Sequence, residues 1–410
     1  MSEAARPQLT AEYGIDSVRE IYGYYNSPEH VVELQVPGDT TRYVWQNMSG
    51  FLLTQQVLRD GPTSPLDEQL DDRIGGIAFD RSDGRRFTVD EHFDTSNLDA
   101  LLVLHHGKVA YERYKTMRPF DKHNWFSSTK VITGTLVALL EHEGLVDVSR
   151  PVTDYVTELA GSVWDTVTVE ETLDMATGLD STEHDDPIDD SRTNPDRGWY
   201  QWAVSIGLFP GEGKSPYEVM RGMQRVKPGH TAFEYNSINT FVLELIVNAV
   251  TGKPLTEVFG DRVWRKIGAQ NDGYIAVTKA GFGLGFGFMN STLRDMGRWG
   301  LLFSPSWPTV SAEQIVPDEV LDKIQHGGRP EIYNQGFVGR EFQHSFPDIS
   351  GICNRYQWDM VFPDGDIYKA GVGGQGTYIS PSRDVVVAWF CTGKEEEEIL
   401  ARSIVTDIGS

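Results

Sequence analysis

The chain has 410 residues, and 36 Lys and Arg against 60 Asp and Glu give it a formal charge of −24. Such a surface repels phosphate backbones, so no nucleic-acid partner is expected. Hydrophobic residues make up 39% and charged residues 23%, enough to bury a core in two or three compact units. The longest apolar runs, near 131–140 and 241–250, are about half the length of a membrane span. The first seven residues are polar and lack the apolar stretch of a secretory signal, which predicts a cytoplasmic protein with no membrane partner. Two cysteines, Cys353 and Cys391, supply neither a disulfide framework nor a Cys-rich zinc site.

Residues 1–95 are rich in Pro, Gly, Asp and Arg and read as a covering segment, with helical turns near 16–24 and 50–58. Apolar residues 100–104, the His106-Gly107 turn and Val109-Ala110-Tyr111 predict a β-hairpin with His105 and His106 at its tip. Residues 130–143 predict a helix apolar on nearly every side, capped at Gly144, with His142 as an ordinary helix residue. Thr168-Val169-Glu170-Glu171 is a capping box opening a helix that closes at Gly178. An acidic loop follows, and helical patterns return at 216–224, 239–250, 255–267 and 291–303. From about residue 332 the pattern is strand-like, with strands at 355–362, 366–371, 376–379 and 384–391. A final helix, 395–407, opens on four glutamates that suit its N-terminal dipole. No internal repeat is visible. The order predicts an α/β domain built from both ends of the chain and an inserted helical domain.

Ser127-Ser128-Thr129-Lys130 is the one S-x-x-K in the sequence, placed where an extended segment meets the buried helix. Lys130 lies three residues on, within reach of the Ser127 hydroxyl. A desolvated lysine loses basicity and becomes a general base for the serine, which needs one to act as a nucleophile. Ser127 as a helix cap and Lys130 as a surface residue fit the same four residues. In Pro228-Gly229-His230-Thr231-Ala232-Phe233-Glu234-Tyr235-Asn236-Ser237, Tyr235 and Ser237 are two apart and face the same way in an extended chain. Tyr235, as a phenol of lowered pKa beside Lys130, suits proton transfer, and a packed core tyrosine suits the same position.

Together these segments resemble the serine β-lactamase-like superfamily over residues 95–395. Within it they lean towards the branch of class C β-lactamases, esterases and 6-aminohexanoate-dimer (nylon-oligomer) hydrolases. The resemblance is carried by Ser127-x-x-Lys130, Pro228-Gly229-x-x-x-Phe233-x-Tyr235-x-Ser237 and Asp147-Val148-Ser149-Arg150-Pro151-Val152-Thr153-Asp154-Tyr155. Thr251-Gly252-Lys253-Pro254-Leu255, Ser291-Thr292-Leu293-Arg294-Asp295 and Lys369-Ala370-Gly371-Val372-Gly373-Gly374-Gln375-Gly376 add to it. It implies an antiparallel sheet flanked by helices, with an α/β domain from 96–126 and 285–410 and a mainly helical domain from 127–284, the active site between them. It further implies Ser127 as nucleophile, Lys130 as its base, Tyr235 as proton shuttle, and the backbone N–H groups of Ser127 and Val372 as oxyanion hole. Lys369 would stand on an edge strand beside the serine. No metal or organic cofactor is implied, and homodimers are common in the family.

Two departures narrow the activity. The usual Y-x-N is Tyr235-Asn236-Ser237, and the usual K-T-G is Lys369-Ala370-Gly371, so an amide and a hydroxyl used by β-lactamases are missing. The expected function is a serine hydrolase for a small-molecule linear amide or carboxylic ester. An esterase or transesterase with little amidase activity, a β-lactamase or D-amino-acid peptidase, and a non-catalytic binding homologue are the alternatives. Trp199 is the expected lid residue, ahead of Tyr200 and Trp202, and Ser237, Lys369 and Phe286 are expected to touch substrate. The Gly281–Phe288 stretch lacks the strand–turn–helix context of a phosphate loop and reads as a glycine-rich strand. The acidic loop, with Asp180, Glu183, Asp185, Asp186, Asp189 and Asp190, suits a cation or a substrate ammonium group but reads first as a solvated surface; the resemblance implies that it covers the active-site cleft.

Overall fold

The computed structural model describes residues 8–184, 189–393 and 396–409. In chain order its strands are β1 (Thr54–Val57), β2 (Ala78–Asp80), β3 (Arg86–Thr88), β4 (Leu98–His105), β5 (Lys108–Tyr114), β6 (His123–Asn124), β7 (Gly273–Ala276), β8 (Met289–Ser291), β9 (Cys353–Arg355), β10 (Trp358–Val361), β11 (Ile367–Gly371), β12 (Gln375–Ser380) and β13 (Val385–Cys391). Among the described residues they form a seven-stranded antiparallel sheet, β5-β4-β13-β12-β11-β10-β9, a four-stranded sheet, β1-β7-β8-β6, and a β2-β3 ribbon. This is the β-lactamase/transpeptidase-like fold.

The large sheet is buried on both faces, which is why β4 and β13 read as nearly unbroken apolar runs. Alternation along the strands divides their side chains between two cores. Leu102, Leu104, Val386 and Ala388 join the core shared with the helical region. Leu101, Val103, Val387 and Trp389 join the second core, closed by Leu400, Ile404 and Val405 of the last helix, Glu397–Ile408. The predicted hairpin is β4–β5, with His106 and Gly107 both at positive φ.

The helix Lys130–His142 is buried from Lys130 through Leu140 and packs against Ser237–Thr251, itself buried over most of its length. Two helices buried against each other at the middle of the molecule fix the depth at which Lys130 sits.

Several elements differ from the sequence reading. Residues 50–58 hold a 3-10 turn, Met48–Gly50, and then strand β1. The Thr168 capping box forms, but its helix ends at Leu173, because Met175 takes a left-handed conformation well before Gly178. Two helices, Pro330–Tyr333 and Phe337–Ser345, occupy the start of the region expected to be extended. The stretch 355–362 is not one strand: Tyr356 and Gln357, both left-handed, turn it into the β9–β10 hairpin without a glycine. Residues 281–288 form an irregular connection, not a strand, because Gly283 and Gly285 bring its backbone against Glu244 and Thr133. The last helix starts at Glu397; Glu397 is buried against His92 and Glu398 against Ser345, while Glu395 lies outside the described residues. The first 95 residues contribute β1 to the small sheet and a helix, Asp39–Gln46, to the core. Strand β7 lies within the region expected to be helical. Among the described residues no helix is long and apolar enough to cross a membrane.

Candidate active site

Ser127 lies in a 3-10 turn, Phe126–Thr129, that runs directly into the helix Lys130–His142. It is not the helix cap. Phe126 before it is held at φ 45°, a left-handed conformation that costs a non-glycine residue roughly 1 kcal/mol and persists only where packing enforces it.

Lys130 is completely buried. Its Nζ donates to the Phe286 carbonyl at 2.6 Å and to Ser237 Oγ at 2.9 Å, and lies 3.3 Å from Ser127 Oγ. Burial brings its pKa down to about 7, although the negative charge of Glu183 opposes the fall. The neutral amine has two hydrogens and one lone pair. With the hydrogens spent on Phe286 and Ser237, the lone pair is left for the Ser127 hydroxyl.

Tyr235 lines the same cavity as Ser127 and accepts from Lys369 Nζ at 3.2 Å. The expected lowering of its pKa is reversed. Burial, followed by the charges of Asp359 and Glu183, raises it well above the ordinary phenol value, so the group holds its proton. Lys369 is itself buried and paired to Asp359 at 2.6 Å, and Asp359 also accepts from the Ala370 N–H at 3.1 Å. Strand β11, which carries Lys369, is an interior strand, not an edge. Its ladder with β10 stops at Tyr368, however, so Lys369, Ala370 and Gly371 are free of sheet pairing on that side. The serine turn fills the gap: Ser128 Oγ donates to the Lys369 carbonyl at 3.3 Å, and a β-carbon on Gly371 would stand 3.2 Å from the Ser127 nitrogen.

Two residues of this cluster were not singled out by the sequence reading. Glu183 belongs to the acidic loop, yet it is 2% exposed. One of its oxygens accepts from the Ser237 N–H at 2.6 Å and hydroxyl at 2.7 Å, and the other from Arg192 at 2.8 Å. Burial alone would raise its pKa; the charges of Arg192 and Lys130 outweigh burial and hold it below the ordinary carboxylate value. Asp359 follows the β9–β10 turn that no glycine announces. Neither carries a local signal, since no helix or strand period links Glu183 to Arg192 and Ser237, or Asp359 to Lys369. Of the other acidic-loop residues, Asp180, Asp189 and Asp190 make surface bonds to Gln224, His184 and Arg197, and Asp185 and Asp186 lie outside the described residues.

Ser237 is therefore engaged at both ends, accepting from Lys130 and donating to Glu183. Asn236 caps the following helix, accepting from the Ile238 N–H. Trp199 is buried and lines a narrow cleft with Ser127, Phe286 and Val372, and the Arg192 guanidinium lies 5.4 Å from its ring. Trp202 is packed on Phe241 and Phe286 in the core, and Tyr200 packs on Phe209. Ser127, Tyr235, His184, Arg192 and Val372 line a cavity of about 140 Å³. It shares its Ala370–Val372 wall with a second cavity of about 700 Å³. A cavity of about 940 Å³ among Tyr13, Tyr24 and Arg42 shares none of these residues.

A serine, a buried amine titrating near neutrality, a protonated phenol and the end of an interior strand thus meet at one cleft. Residues 96–406 match the β-lactamase family, and the chain belongs to it; it is a hydrolase of the amidase or esterase kind. It is 30% identical over 350 residues to the 6-aminohexanoate-dimer hydrolase of Paenarthrobacter ureafaciens, covering 84% of each chain. It is 24% identical over 150 residues to an unguisins hydrolase of Aspergillus campestris, covering 35% of this chain and 25% of that one. A Bacillus anthracis structure described provisionally as a 6-aminohexanoate-dimer hydrolase superposes with a TM-score of 0.74 at 22% identity, over 90% of this chain and 94% of that one. A class C β-lactamase superposes at 0.56 with 14% identity, over 78% and 94%. These two share the fold.

Proposed function

We propose that the chain cleaves a linear amide or carboxylic ester through an acyl-enzyme on Ser127. The observation that carries this is Lys130: a buried amine with a pKa of about 7 whose Nζ lies 3.3 Å from the Ser127 hydroxyl oxygen. Lys130 takes the Ser127 proton as Oγ bonds to the substrate carbonyl carbon. The resulting oxyanion is held by the N–H groups of Ser127 and Val372, and such preorganised donors commonly stabilise the acyl-transfer transition state more than any other group in the site. As the C–N or C–O bond breaks, the leaving atom takes the Tyr235 proton, and the Lys130 ammonium, whose Nζ is 5.2 Å from the phenol ring centre, restores it. Water then attacks the acyl carbon, gives its proton back through the same pair, and Ser127 leaves with a hydrogen.

A phenol kept protonated by burial suits an amide, whose nitrogen must be protonated to leave; an ester alcohol needs this less. The similarity to a 6-aminohexanoate-dimer hydrolase supports a linear amide of that type as the first substrate to try. Trp199, beside Ser127, is the proposed closing wall of the acyl pocket. Lys369 and Ser237 act through Tyr235 and Lys130: the one Ser237 hydroxyl hydrogen is given to Glu183, and two of the three Lys369 ammonium hydrogens go to Asp359 and Tyr235.

The test is intact mass after fluorophosphonate treatment of the wild type and Ser127→Ala, with both assayed on a short-chain p-nitrophenyl ester and on the 6-aminohexanoate dimer. One adduct on the wild type, with adduct and turnover lost together in the variant, is the expected result. An unlabelled, inactive wild type overturns the proposal.

A further inference from the structure

The two backbone donors proposed for the oxyanion belong to segments far apart in the chain, and one side chain from the first 95 residues touches both. Trp45, fully buried near the end of the helix Asp39–Gln46, packs its indole edge-on to the Phe126 ring with centroids 4.6 Å apart. Phe126 is the left-handed residue directly before Ser127. The six-membered ring of the same indole lies on Gly373, the residue directly after Val372, so closely that a β-carbon there would run into it. Gly373 is at φ 79°, a conformation that favours glycine for a second reason.

Trp45 is in turn fixed. Its Nε1 donates to the Leu34 carbonyl at 2.6 Å. One turn earlier on the same helix face, Arg42 is paired with the buried carboxylate of Asp99 at 2.8 Å. Asp99 also accepts from Thr392 at 2.6 Å, and the next residue, Gly393, donates its N–H to the Gly373 carbonyl at 3.1 Å. The helix is thus pinned to the same stretch of sheet that carries the Val372–Gly373 turn. Gln35, next to the residue that accepts the indole N–H, lines the cleft beside Ser127.

We infer that Trp45 is a positioning residue for the oxyanion hole. The N-terminal segment is part of the catalytic apparatus, setting the spacing between the serine turn and the Val372 turn. The inference rests on the serine-hydrolase reading above.

The test compares wild type, Trp45→Phe and Trp164→Phe. Trp164 is as deeply buried, but its indole donates to the Met220 carbonyl away from the cleft. Loss of an oxyanion donor lowers kcat by about 10²–10³, so a displaced donor is expected to lower it by about tenfold. In Trp45→Phe, kcat on the p-nitrophenyl ester falls by that factor with KM within about twofold, and affinity for a phenylboronic acid falls in parallel. The acid limb of the pH profile, set by Lys130, stays where it is. Trp164→Phe loses thermal stability with kcat and boronate affinity unchanged. If Trp45→Phe loses stability alone, or changes KM and kcat together with the acid limb, the positioning role is refuted. A wild type without fluorophosphonate label would instead refute the hydrolase reading on which it depends.

Discussion

Glu183 gives the sharpest test of the site, because its charge acts on Lys130 through one intervening hydroxyl. Replacing it with glutamine keeps the volume and an acceptor for Ser237 but removes the negative charge. Two unit charges separated by a pair of hydrogen bonds, roughly 5 Å, interact by about 3 kcal/mol at an effective permittivity of about 20. That corresponds to about 2 pH units. Glu183 favours the protonated amine, so its removal lowers the Lys130 pKa from about 7; Arg192, left without its carboxylate, pushes the same way. Allowing for relaxation and water entry, the expected shift is about one to two units. The base must be neutral to act, so activity rises with pH through this pKa. At pH 6 about a tenth of wild-type molecules carry the neutral amine, against half or more in Glu183→Gln. The rate of fluorophosphonate labelling, measured from pH 5 to 9 and normalised to its plateau, should therefore be about five- to tenfold higher at pH 6 in the variant. An acid limb that stays put, or moves to higher pH, refutes the assignment of Lys130 as the base that Glu183 tunes.

Other outcomes follow from the same buried charges. Lys130→Met should abolish labelling yet raise Tm. Holding a lysine at about 7 when the unfolded chain has it near 10.5 costs roughly 4 kcal/mol at neutral pH, a figure that lost hydrogen bonds reduce; a lower Tm would show that the bonds outweigh the desolvation. Glu244, buried beside the Gly285 N–H at 3.2 Å, has a pKa raised to about 8 by burial. Its folded pKa lies above the unfolded one, so its stabilising contribution is full below about 4.5 and is lost as pH rises through about 8. Glu244→Gln should match the wild type at pH 5 and exceed it in Tm at pH 8, and equal melting curves at both pH values would contradict this. Asp359→Asn leaves the Lys369 ammonium buried without its carboxylate and should lose about 3–5 kcal/mol in urea unfolding. The double variant with Lys369→Met should recover most of that loss; failure to recover would mean that Asp359 matters chiefly through the Ala370 N–H.

The parts of the molecule legible in the sequence are those whose signal is local. The β4–β5 hairpin has Gly107 at its turn, the Thr168 capping box is written in four residues, and Ser127 and Lys130 are three apart on one turn. Their pairing at 3.3 Å follows from that spacing. What stays hidden depends on partners that no local motif or periodicity announces. Glu183 looks like any loop carboxylate until Ser237 and Arg192 close around it. The β9–β10 hairpin escapes a sequence reading because Tyr356 and Gln357 turn the chain without glycine, and Asp359 escapes with it. The direction of the Tyr235 pKa shift is opposite to the one expected, because its two neighbouring carboxylates and its depth cannot be seen from the motif. The glycines of 281–288 suggest a strand, whereas their function is to let backbone approach the helices that hold Lys130 and Glu244.

Strand β4, formed early in the chain, takes its inner neighbour from β13, formed almost at the end. A ribosome that has made the serine, the lysine and the tyrosine has not yet made the Val372 turn, nor β12 and β13 in the middle of the sheet. Pairings this remote in sequence close late and slowly. The growing polypeptide therefore carries its nucleophile without the means to use it until β11, β12 and β13 have been made, and loss of those strands would remove the centre of the sheet.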